Sequence, residues 1–270
     1  MGVSPWFHIF IAYLIYILIA VLTSVLVGKV AGDLKDFKVR NSPRVLLLGA
    51  VANLVAMFAI LLMLVYWDKK PVTAIGLQFR PKDAVAAIAS FVITYFLATA
   101  FLYLLKWTKR INSVEFQQPT GAPSEVFQMS LGLAVLIPVI LQEEVLNRAY
   151  VSLNLLPLGT MSIILASTII FVLIHFLTNR ANVSQVISWG MSGLVLITSY
   201  LMSSSIWVPV ILHYATDTAN VLVFNITGQY SFFQTTPSVT ESQRATFRVV
   251  YGIVIMGILL AIYGLNFQLG

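Results

Sequence analysis

Glu143, Glu144 and Arg148 stand inside an almost unbroken apolar run, Ser130 to Leu158. An ionised side chain at mid-depth in a bilayer costs about 2.5 kcal/mol or more, so such residues are paired or used. Two further stretches repeat the anomaly: Phe171-Val-Leu-Ile-His175, and His213-Tyr-Ala-Thr-Asp217 with Asn220 three residues beyond. The remaining acids and the remaining histidine, His8, lie in loops or at the edge of an apolar run. Residues four apart share a helix face, and adjacent residues are about 100° apart around it. Glu144 therefore faces Arg148, while Glu143 points elsewhere, toward another helix. Phe171 shares a face with His175, and His213 shares one with Asp217 and Asn220.

Glutamate, two histidines and a further polar side chain in a dry site suit hydrolysis. A carboxylate desolvated by apolar walls becomes a usable base for water near neutral pH. A neutral histidine can share the proton, and a second histidine with an amide or acid can donate to a developing oxyanion. The same residues admit plainer readings. Glu144 and Arg148 can be a buried pair that fixes helix packing, and His213 and Asp217 an intrahelical hydrogen bond. Glu143, His175 and His213 can also supply a three-ligand zinc site with an open position. A proton-coupled transporter would use such charges too, but no inverted repeat or paired broken helices are present.

These groups must be positioned by membrane helices. The 270 residues are 59% hydrophobic and 10% charged, against about 25% charged in soluble domains. The sequence reads as one all-α, polytopic transmembrane domain, residues 1–270, with a motif-bearing core over about 75–225. At about 20 apolar residues per span, eight spans are expected: Phe7–Val27, Val45–Trp67, Ala84–Leu105, Phe127–Leu156, Met161–Leu177, Val183–Met202, Ile206–Ile226 and Ala245–Asn266. The fourth is long enough to tilt or to break near Pro138. Ser124 is a candidate cap for an amphipathic turn that follows it, with Glu125 in the first turn. Gly190 and Gly193 on the sixth are small enough to let helices approach closely. The first run lacks a basic flank and a small-residue cleavage site, and reads as a retained span. His8 beside Trp6 suits the membrane interface.

The net charge of +6 comes from short loops between apolar runs, which is a topology signal and not a nucleic-acid surface. Lys29, Lys35, Lys38, Arg40 and Arg44 fill loop 1. Lys106, Lys109 and Arg110 fill loop 3, Arg180 stands in loop 5, and Arg244 and Arg248 in loop 7. Loop 2 holds Lys69, Lys70, Arg80 and Lys82. The excess in odd loops places them in the cytoplasm and both termini outside. There is no cysteine, hence no thiol nucleophile or thiolate metal site.

Glu143-Glu144-x-x-x-Arg148, Phe171-x-x-x-His175 and His213-x-x-x-Asp217 resemble, in order and approximate spacing, the three motifs of one family. This is the CAAX-protease and bacteriocin-processing (CPBP, or ABI) family of intramembrane glutamic endopeptidases. Ile75-Gly-Leu-x-x-Arg80-Pro-Lys and the run from Gly193 to Pro209 are similar to its bacterial branch, so the resemblance spans roughly Ile75 to Asn220. It implies eight transmembrane helices around an active-site cavity within the bilayer. Glu143 would be the catalytic glutamate and His175 its helper in activating water. His213 and Asp217 would form the oxyanion site, with Glu144 and Arg148 holding the motif helix. Asp217 stands where better-known CAAX proteases often carry asparagine. It would act protonated or would orient His213, with Asn220 as a substitute donor.

The function expected is hydrolysis of a peptide bond in a membrane-anchored protein or peptide, without a cofactor, at a prokaryotic cell membrane. The alternative of a different class is a non-proteolytic scaffold, or a bacteriocin-immunity or regulatory protein, of the same fold. The partners expected are that substrate and the lipid bilayer, with no nucleic acid.

Overall fold

A computed structural model describes residues 4–31, 42–117, 123–178, 181–226 and 231–264. Lys35, Lys38 and Arg40 of loop 1, residues 118–122 of loop 3, Asn179-Arg180 and the expected end of the last span at Asn266 lie outside the described residues, as do the side chains of Ser124 and Glu125. The helices are α1 (Pro5–Ala31), α2 (Pro43–Leu62), α3 (Pro81–Trp107), α4 (Pro123–Glu144), the short α5 (Val151–Leu155), α6 (Thr160–Thr178), α7 (Val183–Ser203), α8 (Trp207–Leu222) and α9 (Glu241–Tyr263). The chain is an all-α polytopic membrane protein.

Six segments among the described residues are long and apolar enough to cross a bilayer: Pro5–Lys29, Pro43–Trp67, Pro81–Trp107, Val126–Leu158, Val183–Ser203 and Glu241–Tyr263. The two that would complete the expected eight, α6 and α8, are shorter. At 1.5 Å per residue, the 16 residues of α8 reach about 24 Å, less than the ~30 Å hydrocarbon layer. Its polar positions (His213, Thr216, Asp217, Thr218 and Asn220) make it less apolar as well.

Helix starts follow local chemistry. Pro stands at the first turn of α2 and α3, where its missing N–H costs nothing. Asn182 with Gln185 and Thr240 with Gln243 form capping boxes that open α7 and α9. Pro138 lies inside α4 without ending it. The departure from regular helix comes later, as a wide π turn over Val145–Tyr150 directly after the two glutamates. Such turns cost hydrogen-bond geometry and concentrate at functional positions.

α7 is the hub: 67% of its apolar window is buried, against 17% for α1. Ile197, Tyr200 and Leu201 face a core shared with α1, α2, the π turn, α5 and α6. Val195, Leu196 and Met202 face a second core with α3, α8 and α9. Exposed Phe10, Leu22, Phe58, Ile88 and Phe96 turn outward, as lipid-facing side chains do. Gly193 is where α7 meets α6 closely: a Cβ there would stand 3.3 Å from Thr168 Cα. Gly190 has open space instead, so only one of the two expected small-residue contacts is formed.

Two connections fasten this scaffold. Gly76, at φ 81°, lies so close to the α7–α8 turn that a Cβ would come within 2.5 Å of the Ser204 carbonyl oxygen. Ile206 N–H donates to Gly76 O at 2.9 Å, Ser205 Oγ to Gln78 O at 2.8 Å and Trp207 Nε1 to Leu77 O at 2.9 Å. At one end, β1 (Ser113–Phe116) pairs antiparallel with β2 (Phe233–Thr236), joining the connection after α3 to the one before α9. This ribbon was not expected in an all-α chain. It puts loops 3 and 7 on one side of the bundle. His8, expected at the interface, pairs with Asp68 while its ring lies 5.1 Å from Trp67. Lys70, counted as a loop cation, donates to the Leu153 carbonyl, and burial holds its ammonium below the ordinary lysine range.

Candidate active site

Glu144 is fully buried and makes two contacts. Oε2 accepts from Arg148 Nε at 3.1 Å, the four-residue pairing the spacing predicts. Oε1 accepts from His213 Nδ1 at 2.8 Å, a contact between α4 and α8 that spacing could not show. Arg148, also fully buried, donates from Nη1 to Ser167 Oγ at 2.8 Å, and Ser167 donates to the Asn147 carbonyl at 2.7 Å. The guanidinium lies over the Phe171 ring, 4.7 Å from its centroid, a favourable cation–π position. Tyr13 of α1 donates to Asn147 Oδ1, and Asn147 Nδ2 donates to the Glu143 carbonyl at 2.9 Å. The π turn is thereby clasped by α1, α6 and α8.

Phe171 carries the rings of the site. Its centroid is 4.4 Å from that of His175 and 6.2 Å from that of His213, and His175 lies 5.1 Å from Trp189. His175 Nδ1 is 2.8 Å from the Phe171 carbonyl. A carbonyl can only accept, so Nδ1 carries the proton and Nε2 is the acceptor nitrogen of the neutral ring. His213 is fixed at Nδ1 by Glu144, and its Nε2 stands 3.7 Å from Asp217 Oδ2. That is an electrostatic contact and not the intrahelical hydrogen bond that the spacing allows.

A cavity of about 80 Å³ is lined by Phe171, His175, Trp189, His213, Asp217 and Asn220, with Arg248 on the wall from α9. The volume admits a few waters, since one needs about 10–15 Å³. His175 lies late in α6, Asp217 and Asn220 late in α8, Trp189 early in α7 and Arg248 early in α9. These antiparallel neighbours therefore bring the cavity toward one end of the bundle. Glu143 is not among the residues lining it. The residue is partly exposed, and its carboxylate lies within electrostatic reach of His213, Asp217, Glu144 and Arg148. Tyr13 and Tyr16 of α1 also feel its charge.

Among the described residues no three His, Asp or Glu side chains are grouped as metal ligands. His175 and His213 each turn Nδ1 to a protein acceptor, which fixes the orientation of both rings.

Residues 125–219 match the family model described as Rce1-like, type II CAAX prenyl endopeptidase Rce1-like. The motif-bearing segment is Rce1-like. No curated protein and no solved structure matches the chain. The Rce1-like segment runs from the start of α4 through most of α8. It holds Glu143, Glu144, Arg148, Phe171, His175, His213 and Asp217, and is narrower than the span from Ile75 to Asn220 that motif reading suggests. At the level of family it supports an integral membrane protease of the CAAX endopeptidase type.

Sequence reading missed Ser167, Tyr13 and Asn147, which carry no charge to draw notice. It placed Arg248 in a loop. The Thr240-Glu-Ser-Gln243 capping signature marks the true start of α9, upstream of that arginine.

Proposed function

We propose that this protein is an intramembrane glutamic endopeptidase that hydrolyses a peptide bond in a membrane-anchored protein or peptide of a prokaryotic membrane. The observation that carries this reading is the convergence of three separate helices: Glu144 of α4 bonds His213 of α8 at 2.8 Å, and both histidine rings pack on Phe171 of α6. Glu143 takes a proton from water, with His175 Nε2 as the acceptor that orients it. The water oxygen attacks the scissile carbonyl carbon. His213, donating from Nδ1 to Glu144 and from Nε2 to the oxyanion, stabilises the negative charge, with Asp217 beside it to orient the ring and Asn220 on the same face as a further donor. Collapse expels the amine, which takes its proton back from Glu143. Arg148 keeps Glu144 ionised and aimed. No metal or organic cofactor enters these steps.

The test is cleavage of a panel of membrane-anchored peptides by the purified protein in nanodiscs, beside Glu143→Gln, with and without a chelator. Cleavage lost in the variant and indifferent to chelator is expected. Full cleavage by Glu143→Gln would sink the proposal.

One observation favours a second reading, a non-proteolytic scaffold, or an immunity or regulatory protein, of the same fold: Glu143 stands outside the set of residues lining the cavity. That reading predicts a cellular phenotype surviving Glu143→Gln and His175→Ala combined.

A further inference from the structure

α1 lies outside the Rce1-like segment, and only 17% of its apolar window is buried. Two polar contacts tie it to the bundle. His8 pairs with Asp68, and further along the helix Tyr13 donates to Asn147 Oδ1. The first contact holds α1 to the end of the second span. The second reaches the π turn of the helix that carries Glu143.

Asn147 is a branch point. It stands one turn after Glu143, and its Nδ2 donates back to the Glu143 carbonyl at 2.9 Å. Its own carbonyl accepts from Ser167 of α6 at 2.7 Å. A carbonyl can only accept, so the amide nitrogen of Asn147 must face Glu143 and the amide oxygen must face away. A buried amide oxygen needs a donor, and the hydroxyl of Tyr13, itself buried, supplies it. Without that hydroxyl, α1 no longer selects this sense of the amide. A turned amide would set Oδ1 against the Glu143 carbonyl, acceptor against acceptor. The peptide plane of Glu143, and with it the direction of its side chain, thus depends on a phenol of the first helix. The carboxylate lies toward that helix as well. Tyr13 and Tyr16 both feel its charge, and Glu143 is not among the residues lining the cavity.

We propose that Tyr13 is a positioning residue: through Asn147 it fixes the orientation of Glu143, so that α1 completes the active site. The proposal rests on the peptidase reading for the task of Glu143. It adds to that reading a helix that the family match does not include.

The experiment compares Tyr13→Phe with His8→Phe in the full chain in nanodiscs. Each variant removes one polar tip from α1 and keeps a ring for packing. The first readout is steady-state cleavage of the best-cleaved peptide of the membrane-anchored panel. Tyr13→Phe should lower kcat by roughly 10- to 100-fold with KM unchanged, since misplacing a catalytic group by about 1 Å can cost ~10²-fold. His8→Phe should keep kcat near wild type. The second readout needs no turnover. Dicyclohexylcarbodiimide labels protonated carboxyls in apolar surroundings, and its attachment at Glu143 is followed by fragment mass spectrometry, with Glu143→Gln as the blank. Labelling at Glu143 should quicken in Tyr13→Phe and not in His8→Phe, because a carboxyl no longer held samples more orientations. If Tyr13 merely docks α1, both variants move kcat and labelling together, and the proposal is overturned. Labelling that does not respond to Tyr13→Phe, at whatever level, overturns it too. The two readings fail separately. Wild-type cleavage, with kcat and labelling unmoved in Tyr13→Phe, would retain the peptidase and reject the positioning role. Labelling that responds to Tyr13→Phe alone, in a protein that cleaves nothing, would do the reverse.

Discussion

Two polar clusters meet at His213, and they differ in what they leave over. On one side Glu144, Arg148 and Ser167, all fully buried, bond one another and, through Asn147, reach Tyr13. On the other side His175, Asp217, Asn220 and Arg248 border a cavity of about 80 Å³, with buried polar atoms unpartnered on Asn220 and Arg248. The residue types are similar. The first cluster pairs its charges with one another, as a tolerated buried pair does, and leaves one atom over, Arg148 Nη2, on a side chain outside the set lining the cavity. The second has its unspent atoms beside open space, which a reacting group requires. Charge inside a membrane is therefore a weak guide to chemistry until its partners are known.

The contrast can be broken from either side. On the catalytic side, Glu143→Gln should lower peptide cleavage by about 10²- to 10⁴-fold, the usual contribution of a general base, with little change in thermal midpoint. A large fall in midpoint instead would assign Glu143 to the closed cluster. In that closed cluster, Arg148→Ala leaves Glu144 buried without its cation and should cost about 3–5 kcal/mol of stability. Denaturation in micelles reads this, and a loss under about 1 kcal/mol, the size of an average substitution, would show that the pair does not hold the fold. Gly193→Leu forces a side chain against Thr168 and should cost about 1–3 kcal/mol. The same change at Gly190, where space is open, should stay within about 0.5 kcal/mol, and equal effects would remove the close approach as the cause. The smallest effect is expected at Asp217→Asn. Glu144, not Asp217, holds His213 by a hydrogen bond, and asparagine is itself a donor. kcat/KM should fall by well under the ~10²- to 10³-fold that loss of an oxyanion donor costs.

Much of the scaffold was legible because apolar length and four-residue spacing are local quantities. The Glu144–Arg148 pair and the shared face of Phe171 and His175 could be read directly from spacing. The stretch around Gly76 was singled out only through the family resemblance, which did not show that it packs on the Ser204 turn. Spacing names a face but not what lies across it. Hence the bond from Glu144 to His213, 69 residues away, and the clasp of Tyr13 on Asn147 were invisible. His213 and Asp217 share a face as expected, yet stand 3.7 Å apart because His213 is drawn to Glu144. The span expected at Met161–Leu177 matches α6 to within one residue at each end, whereas the one expected at Ile206–Ile226 overran α8 because apolar counting carried on past Leu222. The β1–β2 ribbon escaped because two four-residue strands carry too little pattern to stand out.

The wide turn at Val145–Tyr150 has a consequence for register. A π turn takes up about one residue more than an α turn, so the helix beyond it is rotated by about 100° relative to an uninterrupted one. The offset lets a single rod present its acids to α8 and, one turn later, seat Tyr150 and Leu155 in the core shared with α1. Removing one residue between Val145 and Tyr150 would let the rod close into regular helix. Every side chain from there to Leu158 would then face the wrong neighbour, although the composition of the span would hardly change. In this stretch the length of the chain shapes the site as much as the identity of its residues.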